Sequence, residues 1–103
     1  MDQSVRESET IHMKIMLVDD ELPILESLKS ALRPTGYECE MFQSSPRALE
    51  EYSKSQYNVV VTDFMMPVLN GIELLKAIKK VNPDAYVIIL TGYADIKNAI
   101  AAV

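Results

Sequence analysis

Cysteine is nearly missing from this chain of 103 residues. Cys39 stands alone, which rules out an internal disulfide, and its place in a strand-like run makes a small buried thiol the expectation. Basic charge is scarce as well: Lys plus Arg number 10 against 15 Asp plus Glu, a formal charge of −5. A surface of that sign repels phosphate backbones, and no basic run offsets it, so direct nucleic-acid binding by this segment is not expected. Apolar runs are short; Val87 to Leu90 falls far below the roughly 20 residues that a membrane-spanning helix needs. Residues 1 to 13 are polar and mixed in charge, without the apolar stretch of a signal peptide, and the expected location is the cytoplasm. No G-x-G-x-x-G follows the first apolar run, which removes the usual ground for a dinucleotide site.

What is present suits one domain with one core. Apolar residues make up 49% and charged residues 24%, a globular balance. Residues 1–13 read as a flexible leader, with His12 a solvated tail histidine, and the domain runs over residues 14–103. Ile15 to Val18, Val59 to Val61 and Tyr86 to Leu90 read as strands covered on both faces. Tyr37 to Phe42 alternates instead, as a strand near a sheet edge does. Between them lie helical stripes. Leu25, Leu28 and Leu32 form the first, with Pro23 in its opening turn and Pro34 after it. Ser45 is read as the N-cap of the second, with Pro46 following and Leu49 and Tyr52 inward. Leu74, Leu75, Ile78 and Val81 form a third, ended by Asn82-Pro83, and Asp95 opens a fourth bearing Ile96, Ile100 and Val103. Strand and helix alternate four times. That order implies an α/β, doubly wound parallel sheet with helices on both faces.

In such a sheet, ligands bind beyond the carboxyl ends of the strands, where strand order reverses. The first strand ends in Asp19-Asp20-Glu21, the third in Thr62-Asp63 and the fourth in Leu90-Thr91-Gly92. If the first and third strands are neighbours, Asp19, Asp20 and Asp63 converge. Crowded carboxylates repel unless a cation joins them, and a few hard oxygen ligands suit Mg²⁺. A carboxylate beside Mg²⁺ is a competent nucleophile toward phosphorus, and the Thr91 hydroxyl could donate to a phosphoryl oxygen. Each piece has a plainer reading by itself: Asp19-Asp20 as a helix cap, Asp63 as a turn residue before Pro67, Thr91-Gly92 as a turn. The joint occurrence, each at the end of an apolar strand, favours a site.

From residue 14 to 103 the sequence resembles the response-regulator receiver family. The likeness is carried by Leu17-Val18-Asp19-Asp20-Glu21, by Val60 to Pro67 around Asp63, by Gly71 and by Leu90 to Ala94. The resemblance implies a flavodoxin-like (βα)5 receiver of which this chain holds about four βα units. It implies that Asp63 is the phosphoacceptor. It further implies that Asp20, Asp63 and the Met65 backbone carbonyl ligate Mg²⁺, with Asp19 acting through water. By the same resemblance Thr91 is expected to bind a phosphoryl oxygen and move with phosphorylation, and Met65 and Tyr93 occupy positions that tune phosphoryl lifetime in the family. A histidine kinase or phosphotransfer protein is the implied donor, and an output domain or effector the implied recipient of the signal. The family's fifth strand and its phosphoryl-pairing lysine match no residue here, Lys97 included. The reading preferred is a fragment, with β-edge dimerisation or helix exchange expected on the strand-four side. A receiver-like scaffold that works without phosphorylation is the alternative. A phosphatase is disfavoured because Asp19 and Asp20 are adjacent, without the Asp-x-Asp spacing. A flavin carrier is disfavoured because the first loop holds acids where a glycine- and hydroxyl-rich phosphate cradle is needed.

Overall fold

The computed structural model describes residues 13–90. His12, Thr91, Tyr93 and the helix expected from Asp95 lie outside the described residues. The elements run β1 (Lys14–Val18), α1 (Leu22–Leu32), a 3-10 turn (Arg33–Thr35), β2 (Glu38–Phe42), α2 (Ser45–Lys54), β3 (Val59–Asp63), α3 (Gly71–Val81) and β4 (Val87–Leu90). The four strands are parallel in the order β2-β1-β3-β4. β2 is an edge strand, as its alternating pattern implied.

Strand residues alternate between the two faces, and each face has its own core. Ile15 and Leu17 of β1 join Val59 and Val61 of β3 under the α1 stripe of Leu25, Leu28 and Leu32, with Cys39 buried among them. Met16 and Val18 join Val60 on the opposite face, against Ala48 and Tyr52 of α2 and Leu74 and Ile78 of α3. Two covered faces explain why β1 and β3 are apolar without alternation. Each fully buried Leu or Ile contributes about 1.5–3 kcal/mol relative to exposure. The chain leaves β1 in one direction through α1, then returns past β1 from β2 to β3 through α2 on the other face. Crossovers of one hand that reverse direction must use opposite faces, and the reversal opens a crevice at the carboxyl ends of β1 and β3.

The structure corrects several local expectations. The N-cap of α2 is Ser44, whose side chain accepts the Arg47 amide, and Ser45 is the first helical residue. Ala48 takes the innermost position and Leu49 is only partly buried. Val81, the last residue of α3, is exposed and sits at the rim of a cavity of about 370 Å³ with Asn82 and Tyr52. β4 starts at Val87, not Tyr86, whose ring is exposed; Val87, Ile88 and Ile89 are half-buried, and only Leu90 is fully covered. Gly36 closes the turn after α1 at φ 76°, a conformation that glycine adopts without strain. Met13 already belongs to the ladder, its carbonyl accepting the Glu38 amide at 2.9 Å.

Candidate functional site

β1 and β3 are adjacent, so their carboxyl ends open side by side. Asp19 follows β1 directly, and its amide extends the ladder by bonding the Phe42 carbonyl at 3.0 Å. Asp63 is the last residue of β3, in register with Leu90 of β4. The structure brings Asp19, Asp20 and Asp63 together: one carboxylate oxygen of each lies within 4.8 Å of the others. Asp19 is 4% exposed, Asp63 is half-buried and Asp20 faces solvent.

The capping reading of the acidic pair does not hold. The N-cap of α1 is Glu21, without a side-chain cap bond, while Asp19 Oδ1 accepts the Glu21 amide at 2.8 Å and so turns the chain into α1. Burial pushes the Asp19 carboxyl up to about 6, against the Glu21 bond and with repulsion from Asp63 and Asp20 adding to it. Asp63 is raised too, first by burial and then by Asp20; the Phe64 amide, 2.9 Å from its Oδ1, opposes the shift. Both shifts come first from burial, with neighbouring carboxylates adding to them. The donor set fits Mg²⁺: oxygens only, few in number, one of them solvent-facing.

The segment after Asp63 is fixed from several sides. The Gly71 amide bonds the Phe64 carbonyl at 2.9 Å. A Cβ at Gly71 would stand 2.6 Å from the Asp63 carbonyl oxygen and 3.0 Å from the Phe64 Cα, so only glycine allows α3 to start this close to the acid. Asn70 and Glu73 form a capping box at that start. The Met65 side chain is exposed. Two residues were missed by sequence reasoning: Gln43, whose amide donates to the Asp20 carbonyl at 3.3 Å, and Ser45, whose hydroxyl donates to the Leu69 carbonyl at 2.8 Å. Both bonds span more than 20 residues, and no local pattern marks them.

Known proteins resemble the chain over the same span. The model of the response regulator receiver domain matches residues 15–103. The transcriptional regulatory protein ZraR of Escherichia coli is 33% identical over 88% of this chain, which spans only 21% of that protein. A response regulator receiver domain protein from Clostridium thermocellum is 41% identical, with a TM-score of 0.74 over 87% of this chain and 73% of its own. TrrA of Thermotoga maritima, solved in complex with Mg²⁺-BeF, is 33% identical with a TM-score of 0.75 over 87% of this chain and 78% of its own. A second structure holds TrrA with the histidine kinase ThkA, at 37% identity and a TM-score of 0.73, over 79% of this chain and 70% of that one. With the parallel sheet, the acidic cluster at its reversal point and this match over nearly all its length, the chain belongs to the response-regulator receiver domain family.

Proposed function

We propose that residues 14–103 form a phosphorylation-controlled switch of a two-component system, with Asp63 as the phosphoacceptor. The observation that carries this reading is the gathering of Asp19, Asp20 and Asp63 within 4.8 Å at the carboxyl ends of β1 and β3. Asp20, Asp63 and the Met65 backbone carbonyl would hold Mg²⁺, and Asp19, anchored on the Glu21 amide, would act through water. Bound Mg²⁺ supplies the positive charge that lets the carboxylates and an incoming phosphoryl group share one small space. The Phe64 amide orients the Asp63 carboxylate. An Asp63 oxygen forms a bond to phosphorus as the P–N bond of a donor phosphohistidine breaks; the electron pair stays on the imidazole nitrogen. The Thr91 hydroxyl then binds a phosphoryl oxygen and moves with it.

The donor is a histidine kinase or phosphotransfer protein, a reading supported by the TrrA–ThkA complex. The recipient is an output domain or effector protein, since the ZraR relatives are much longer than this chain. The module accepts a group and does not turn over an external substrate. Among the described residues no helix is long and apolar enough to cross a membrane, and the cytoplasm is the proposed location. The test is acetyl phosphate labelling with Mg²⁺: wild type takes one phosphoryl group, and Asp63→Asn and Asp20→Asn take none while remaining folded. Label persisting in Asp63→Asn defeats the assignment. A folded, Mg²⁺-bound wild type that takes no label favours the scaffold reading instead.

A further inference from the structure

Ser45 has a hydroxyl that its own helix does not use. Ser44 caps α2, so Ser45 stands one residue inside the helix with its Oγ free of that duty. The residue is 2% exposed, and a buried hydroxyl without a partner carries a desolvation cost. Its partner lies 24 residues away: Ser45 Oγ donates to the Leu69 carbonyl at 2.8 Å, with the Pro67 carbonyl at 3.5 Å. Both carbonyls belong to the segment that joins Asp63 to α3.

That segment contains the one non-glycine residue with positive φ among the described residues, Val68 at 70°. The Leu69 amide bonds the Pro67 carbonyl at 2.9 Å across it. A three-residue turn closed around a residue of that φ is the rarer, strained form of the γ-turn. Valine is β-branched and a poor occupant of this region. Its side chain is 79% exposed, so packing does not hold it there. The Ser45 bond falls on the carbonyl at the far side of the turn. At the near side, Phe64 is fixed by Asp63 and Gly71. Met65 is strung between these two anchors.

We propose that Ser45 is a positioning residue: by clamping the strained Pro67–Leu69 turn it holds the Met65 backbone carbonyl where Mg²⁺ needs it, and so sets metal affinity. This rests on the reading of Met65 as a metal ligand given above. The test is Mg²⁺ titration by calorimetry of the full chain as wild type, Ser45→Ala, Val68→Gly, the double variant and Asp20→Asn. Loss of an orienting partner behind a metal ligand weakens binding about tenfold, the loss expected for Ser45→Ala. Val68→Gly alone stays within about twofold, because glycine takes positive φ without strain. In the Val68→Gly background the Ser45→Ala loss shrinks to about threefold or less, since an unstrained turn no longer needs its clamp. If Ser45→Ala fails to fold, Ser45→Cys keeps the volume, weakens the donor and is judged by the same criteria. Wild-type affinity in the Ser45 variant, or an equal loss in both backgrounds, overturns the proposal. Wild-type affinity in Asp20→Asn defeats the underlying metal reading separately.

Discussion

Asp19 is a carboxyl group kept dry beside two others, and that has consequences for stability. Its carboxyl sits at about 6 in the folded protein against 3.8 in a free chain. Below pH 4 it is protonated in both states. Between pH 4 and 6 the folded protein holds a proton that the unfolded chain releases, so stability falls as pH rises through that window. The loss amounts to roughly 3 kcal/mol above pH 6. Asp19→Asn keeps an oxygen for the Glu21 amide and removes the charge. Without Mg²⁺ it is expected to melt higher than wild type at pH 7 and nearly level with it at pH 4; a difference independent of pH counts against this account. Gly71 is constrained sterically. Gly71→Ala places a carbon against the Asp63 and Phe64 backbone and is expected to cost about 1–3 kcal/mol in urea unfolding, with weaker Mg²⁺ binding, because the acid itself is pushed aside. Unchanged stability in that variant shows that the loop yields without strain.

At the scale of elements, spacing made the helices legible. Leu25, Leu28 and Leu32 could face one way only on a helix, and they do. The start of α2 was less determinate, because Ser44 and Ser45 are adjacent and either can precede a first-turn proline. Placing Pro46 at the first helical position favoured Ser45; the structure puts it second and leaves the cap to Ser44. Ser44→Ala is therefore expected to destabilise the fold by about 1 kcal/mol in urea unfolding, without the Val68-dependent metal effect of Ser45→Ala. Equal behaviour of the two variants contradicts the division of labour. The acidic cluster was legible for a different reason: a parallel sheet gathers strand ends, so Asp19, Asp20 and Asp63 needed only β1–β3 adjacency. Gln43 and Ser45 were not, since each bonds a carbonyl more than 20 residues away, a pairing set by tertiary packing. The extent of β4 was overread because Tyr86 continues its apolar run yet its ring stays in solvent.

At the scale of the molecule, two questions join: what lies against β4, and what the acidic site does. Among the described residues β4 pairs only with β3, and Val87, Ile88 and Ile89 are half-buried beside exposed Tyr86. Half-buried apolar side chains on a strand paired on one side among the described residues favour association, and we propose that copies of the chain associate through that side. Light scattering over a concentration series checks it; a monomer mass at every concentration contradicts it. The central claim concerns Asp63, and chemical trapping tests it without any substitution. The chain is treated with acetyl phosphate and Mg²⁺, reduced with borohydride, digested and sequenced by mass spectrometry. Reduction of an aspartyl phosphate leaves homoserine at the acceptor. The account predicts homoserine at position 63 alone, dependent on Mg²⁺; homoserine at Asp19 or Asp20 instead, or at position 63 to the same extent without Mg²⁺, would contradict it.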